Sequence, residues 1–207
     1  MFIAFQAKSA RKMNQIRDNF SDYLSRAGEL TTDDVSNMQA IAEEQRFATE
    51  EKLVEQGKKC DAIFFVETGI LRYYLITANG GEVNKSIRIA PCMVSSTVAL
   101  VTGQPSQLSI SCFSEVSALK ISWSAFQQLM EKSHSLEHFY RRGVEALFVE
   151  REQRELSLLM DTAQQRYLHF VERYAAVLDQ IPLYQVASYV GITAVALSRI
   201  RKRLGAQ

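Results

Sequence analysis

The sequence predicts an α+β fold: N-terminal helices, an antiparallel barrel or jelly roll of short strands, a long helix, and a C-terminal helix-turn-helix. Three observations carry this. Apolar residues follow the helical period up to Ala42 and again after Trp123, but between Phe47 and Ser122 they gather in short β-rich runs. Gly57, Gly69, Asn79-Gly80-Gly81 and Gly103 separate those runs at intervals suited to an antiparallel barrel. The stretch LYQVASYVGITAVALSRIRKRL, from Leu183 to Leu204, reads as two helices meeting at a glycine. A chain of 207 residues, 47% of them hydrophobic, is long enough to bury one large core and one small one.

The opening MFIAFQAKSARK has only a five-residue apolar block, too short for a signal-peptide core, and Met13 offers a second start that would make residues 1–12 an extension. Ile16, Phe20 and Leu24 give one helix face over Asn14–Arg26; Val35, Met38 and Ile41 give another over Thr32–Ala42, with Thr31, Thr32 and Asp33 as N-caps. Strands are expected at Ile63–Thr68, Ile70–Thr77, Val83–Ile89, Cys92–Thr97, Leu108–Phe113 and Val116–Ile121. Ser124–Glu131 is a short helix, His134–Met160 a long one of about 40 Å, and Thr162–Leu178 a third that Asp179-Gln180-Ile181-Pro182 breaks. On the long helix Leu136, Tyr140, Gly143, Leu147 and Leu158 approximate a heptad seam, interrupted by Arg151 and Arg154. Such a seam suits a partner helix, or packing on the strands.

In the C-terminal stretch Ala187 and Gly191 mark the crossing, the first because it is small and the second because it accepts the positive φ of a tight turn. Val186, Val190, Ile192, Leu197 and Ile200 fall inward, while Ser188, Tyr189, Ser198, Arg199 and Arg201 point elsewhere. Pro182 suits the first turn of the leading helix, and Thr193 the N-cap of the trailing one. From Leu183 on there are four basic side chains, Arg199, Arg201, Lys202 and Arg203, and no acidic one, so this tail carries +4 in a chain of net charge +1. Basic side chains on a helix-turn-helix neutralise phosphates and release counterions, the footprint expected for duplex DNA. A helical hairpin with a solvated basic tail would share the pattern. A lone helix-turn-helix gains useful affinity from two half-sites, so a homodimer is expected. No apolar run approaches the roughly 18 residues of a membrane span. Three cysteines, Cys60, Cys92 and Cys112, without C-x-x-C pairing indicate neither a disulfide framework nor a zinc site, and a reduced, cytoplasmic protein is expected.

The order of elements, together with FFVETGILRYYLI, the Gly103-Gln104 turn and IPLYQVASYVGITAVALSRIRKRL, resembles the Crp/Fnr family of bacterial transcription regulators, the cyclic-AMP receptor type, from about Leu30 to Leu204. The resemblance implies an N-terminal extension and helix over residues 1–30, a cyclic nucleotide-binding-like β-roll (jelly-roll) effector domain over 31–132, a dimerisation helix over 133–160 and a helix-turn-helix DNA-binding domain over 161–207. It implies double-stranded DNA, a second copy of the chain and RNA polymerase as partners. It also implies a two-state mechanism, in which an effector in the roll reorients the long helix and sets the recognition helices at operator spacing. The chain stops three residues after Leu204, so a truncated or absent wing is expected.

The departures are as informative. Cyclic-AMP binders of that family hold the ribose with a Gly-Glu pair and clamp the phosphate with Arg-Ser. Anchored on Gly103-Gln104, those positions fall here on Ser95-Ser96 and Ser106-Gln107, and the Thr-Ser pair that reads adenine is replaced by Arg151 and Glu152. A phosphodiester loses far more with a charge-assisted bond than a hydroxyl returns. The expectation is an effector other than cyclic AMP, or none. Ser95, Ser96 and Thr97 could open a short helix whose amides accept a small anion, with Arg151 reaching in from the long helix; a polar loop capping its own backbone fits the serines equally. In the recognition helix the family's Arg and Glu are replaced by Ala194 and Val195, while Arg199 matches its later Arg. Thr193, Ala194, Val195, Ser198 and Arg199 are then candidate DNA-binding residues, with Ala194 and Val195 suited to thymine methyls and Arg199 to guanine O6 and N7. Arg201, Lys202 and Arg203 are candidate phosphate contacts.

Other chemistries fit the inventory poorly. Fnr-type members hold an iron-sulfur cluster with cysteines mostly near the N-terminus, and none precedes Cys60 here. His134 and His138 share a helix face without a third ligand in view, and His169 reads as an ordinary helical residue, so no metal or cofactor is expected. A cupin-type enzyme needs histidines on its strands; Phe47–Ser122 contains none, nor is there a phosphate loop or nucleophile elbow, and no catalytic residues are expected. The competing reading is a sensor or scaffold of the same fold that has lost specific DNA binding.

Overall fold

The computed structural model describes residues 15–26 and 30–205; the extension expected over residues 1–12 lies outside them. Helix α1 (residues 15–26) and α2 (Thr32–Ala40) precede eight strands: β1 (Ala42–Phe47), β2 (Lys52–Val54), β3 (Ala62–Thr68), β4 (Ile70–Ile76), β5 (Glu82–Ile89), β6 (Cys92–Val94), β7 (Ser109–Cys112) and β8 (Val116–Ser122). Helix α3 (Thr97–Thr102) separates β6 from β7. After β8 come α4 (Trp123–Met130), α5 (His134–Met160), α6 (Ala163–Arg173), a 3-10 turn (Ala175–Gln180), α7 (Leu183–Val190) and α8 (Ala194–Arg203). The strands form two four-stranded sheets, ordered β1-β8-β3-β6 and β2-β7-β4-β5. In the first, Phe65 of β3 lies opposite Leu119 of β8 on one side and Met93 of β6 on the other.

β3 and β4 are buried along most of their length, as a run such as AIFFVETGILRYYLI requires once both faces of each strand are covered. Gly69 turns one strand into the other with φ near +110°, and a Cβ there would sit 2.8 Å from the Glu115 carbonyl, so only glycine fits. β1 replaces the last turn expected of α2: AEEQRF pairs residue by residue with β8, Ala42 opposite Ile121 and Phe47 opposite Val116. Only Ala42 of that strand is buried, so its apolar signal was too weak to read, and sheet pairing overrode local propensity. β2 escaped for the same reason, being three residues with a single buried one. The strand expected over Cys92–Thr97 ends at Val94 because Thr97 already opens α3, and the third helix expected after α5 gives way to a 3-10 turn after Arg173.

The chain divides into two compact units. The first runs to Arg72 and from Ile87 to Gly143. Its core joins Phe20 and Leu24 of α1, Met38 of α2, and Phe65, Leu71, Ile110, Leu119 and Ile121 of the strands, with Phe126 and Leu136 beyond them. The Phe20 and Phe65 rings lie 4.8 Å apart, and each such buried side chain contributes about 1.5–3 kcal/mol. The second unit comprises Tyr73–Ser86 and everything from Val144 on. There Phe170, Tyr174 and Tyr189 form an aromatic cluster with centroids 4.7–5.8 Å apart, beside Val186, Val190, Leu197 and Ile200. Tyr189 is thus a core residue, not the outward one expected from its helical position. Among the described residues no helix is long and apolar enough to cross a membrane.

Candidate nucleic-acid interface

Helix α7 ends at Gly191, which adopts φ 78° and ψ 39° and accepts the left-handed turn the sequence assigned to it. Thr193 then starts α8, its Oγ1 accepting from Ala196 N–H at 3.2 Å. Leu197 and Ile200 are buried, Ile192 is half-buried, and Ala187 is buried at the crossing. With Leu197 and Ile200 turned inward, Val195, Ser198, Arg199 and Lys202 fall on the opposite stripe at helical spacing and are exposed, Val195 by 63%. Thr193 and Ala194 are exposed at the helix start, and Arg203 is exposed in its last turn. Arg199, Lys202 and Arg203, with Ala196 and Ile200, line a shallow concavity along this helix. Arg201 differs: it is half-buried, and its Nε is shielded without a hydrogen-bond partner. Its position four residues after buried Leu197 turns it toward the protein, away from the other basic groups.

Two guanidinium groups finish α7 at its C-terminal end. Arg154 of α5 donates from Nη2 to the Tyr189 carbonyl and stacks 4.1 Å from the centre of that ring. Arg166 of α6 donates from Nε to the Val190 carbonyl at 2.8 Å and from Nη1 to the Asp161 carbonyl at 2.6 Å. Both satisfy carbonyls left open at a helix end and oppose its negative pole. Burial, ahead of any charge, pushes the Arg154 pKa down, and the neighbouring tyrosines act against that shift. Neither arginine was singled out from sequence; the interruption of the α5 seam at Arg154 was the available signal.

In the roll, two of the polar positions expected at an effector site, Ser96 and Ser106, bond each other. Ser106 Oγ lies 2.9 Å from Ser96 Oγ and 2.7 Å from the Leu108 carbonyl, and both serines are buried. Ser95 Oγ donates to the Ala62 carbonyl at 3.2 Å and lies 3.9 Å from Cys60 Sγ. Thr97 is half-buried and Gln107 is exposed. Helix α3, only six residues long, has no side-chain hydrogen bond at its N-cap, Ser96. Arg151 belongs to the other compact unit, where its charge and, above all, burial lower the pKa of Lys85. The cation that sequence reasoning missed is Arg72 of β4, 4% exposed, whose Nε donates to Ser111 Oγ at 3.2 Å and whose guanidinium lies 5.9 Å from the Phe113 ring centre. A lone arginine inside ILRYYLI was its signal.

The expected α5 seam is redistributed. Leu136 is fully buried, and Tyr140 packs on Trp123 and Phe126 at 5.5 and 5.8 Å. Gly143 is exposed, Leu147 half-buried, and Leu158 lies beside Gly191. The largest apolar side chains α5 shows to solvent are Phe148, 67% exposed, Leu159, 76%, and Met160.

Comparison with known proteins bears on the fold. The family model Cyclic nucleotide-binding domain matches residues 44–133. No curated protein matches the chain. Among solved structures, FixK2 from Bradyrhizobium japonicum has a TM-score of 0.70 at 16% identity, over 80% of this chain and 85% of that one. The c-di-GMP responsive global regulator CLP from Xanthomonas campestris has a TM-score of 0.67 at 13% identity, covering 84% and 92%. A protein from Eubacterium rectale described as a Crp/Fnr family transcriptional regulator has a TM-score of 0.69 at 13% identity, covering 86% and 85%. Identities this low carry the fold and not the ligand. Residues 44–133 therefore match the Cyclic nucleotide-binding domain model, within a chain whose fold is that of the solved Crp/Fnr-type structures it resembles.

Proposed function

We propose that the protein is a homodimeric, DNA-binding transcription regulator of the cytoplasm whose roll does not respond to cyclic AMP. The observation that carries the DNA-binding reading is α8: a capped helix whose Val195, Ser198, Arg199 and Lys202 form one exposed stripe, while its apolar face locks into α7. That arrangement presents an apolar contact for thymine methyls and a fork of donors for guanine at the start of a groove-sized helix, with Lys202 and Arg203 placed for phosphates. A second copy, docked along the exposed apolar stretch of α5, supplies the second half-site. The experiment is selection of bound fragments from genomic DNA, followed by gel shifts on the selected sequence. Arg199→Ala is expected to weaken binding by about 1–3 kcal/mol and to relax preference at one base pair. Failure of the wild type to enrich any sequence, or an Arg199→Ala profile identical to the wild type, rejects the assignment.

A further inference from the structure

The β4–β5 hairpin, Tyr73–Ser86, clusters with the helices from Val144 on, whereas the far ends of the same two strands cluster with the rest of the roll. β5 ends its sheet, and a strand in that place offers backbone groups along one side that call for a partner. Helix α7 supplies it. Asn84 N–H donates to Ser188 Oγ at 2.9 Å, and the Ser188 hydroxyl reaches the Glu82 carbonyl at 3.5 Å. Asn84 Nδ2 donates to the Gln185 carbonyl at 3.0 Å and to Gln185 Oε1 at 2.6 Å. Asn84 and Gln185 are 3% and 5% exposed. Separating strand from helix would break these hydrogen bonds together, so the contact is made or broken as a whole. Gln185 and Ser188 lie three apart and share one face of α7; the C-terminal end of that helix is fixed independently by Arg154 and Arg166. Helix α8 follows α7 through the short turn at Gly191, so whatever fixes α7 fixes the heading of α8.

We propose that the hairpin is a positioning brace for the DNA-reading helix, in which Asn84 and Ser188 set the heading of α8 and thereby the half-site spacing that a dimer accepts. The proposal rests on the DNA-binding reading above. The exposed stripe of α8 makes none of the brace's hydrogen bonds, so the brace acts on orientation and not on contact with bases.

The test compares wild type, Asn84→Ala, Ser188→Ala and the double variant on the selected operator, on versions with the half-sites moved by one base pair, and on an isolated half-site, with thermal unfolding as the control for folding. Each single variant is expected to lose about tenfold in affinity for the native spacing, and the double variant little more than the stronger single, since both remove one contact. Discrimination against shifted spacing should fall, and half-site affinity should stay within about twofold of wild type. Equal losses on half-site and operator, or unchanged spacing preference, overturn the brace. Where Asn84→Ala fails to fold, Ser188→Ala decides, because it removes one hydroxyl from a half-buried position. A wild type that enriches no DNA rejects the underlying reading and the brace with it; a wild type that binds, with variants that behave like it, rejects the brace alone.

Discussion

Asp34 collects four hydrogen bonds at the junction of α2 with the start of α5. Ser133 Oγ and Ser135 Oγ donate at 2.5 and 2.6 Å, and Thr31 donates from N–H at 2.9 Å and from Oγ1 at 2.7 Å. Ser133 in turn accepts from Leu136 N–H at 3.2 Å, so the carboxylate stands at the positive end of the long helix. Burial alone would raise its pKa; the hydrogen bonds from Ser133, Ser135 and Thr31 together outweigh burial and bring it down to about 2. A folded pKa below the unfolded value gives stability that is fully present above the unfolded carboxylate range and is lost as pH falls through it toward about 2. Asp34→Asn is expected to lower stability by about 1–3 kcal/mol at neutral pH, with the gap closing only as pH falls to about 2, read from urea midpoints across pH. Thr31 was legible as a cap from its type and place. Asp34's partners were not, since Ser133 and Ser135 lie about a hundred residues away in sequence. Asn84 and Gln185 were hidden for the same reason: whether a polar side chain is buried depends on a partner that local pattern does not reveal.

At the scale of elements, periodicity located α5 to the residue, Leu183–Leu204 resolved into the expected helix pair, and most strands fell within a residue or two of their runs. The partner of each face was harder. Leu136 and Tyr140 look like seam residues by spacing, yet Leu136 is fully buried and α4 takes Tyr140, because Trp123 and Phe126 immediately after β8 put an aromatic surface where the first turns of α5 must pass. The seam of the proposed dimer therefore lies further along, where Val144, Phe148, Leu156 and Leu159 lie on one broad side of the helix and are all exposed. Phe148 and Leu159 are the positions whose truncation should matter most, being large and at the centre of that side. Phe148→Glu with Leu159→Glu is expected to shift the protein to monomer at micromolar concentration in sedimentation, with far-UV circular dichroism unchanged. A dimer that persists would mean that another face joins the copies.

For the whole molecule, the fold does not by itself fix the ligand. Residues 44–133 match the cyclic nucleotide-binding domain model, while the positions that the resemblance aligns with ribose and phosphate contacts carry Ser96 and Ser106, which are buried and bonded to each other. To admit a phosphodiester between these two serines, the protein would have to break that pair, and two hydroxyls would stand where the resemblance implies a carboxylate for the ribose and a guanidinium for the phosphate, a poor exchange for a charge-assisted contact. The shape was legible because it rests on apolar runs and glycines; the closed serine pair was not, because a serine suits a ligand contact and a self-capped loop alike. The consequence is measurable. A ligand present at a hundred times its Kd stabilises a fold by about 2.7 kcal/mol, which moves the Tm of a protein of this size by roughly 5–10 °C. Cyclic AMP at millimolar concentration is expected to leave the Tm unchanged, and Ser106→Ala to leave that result unchanged as well. A shift that saturates at micromolar cyclic AMP would show that the pair opens, and would overturn the reading of Ser96 and Ser106.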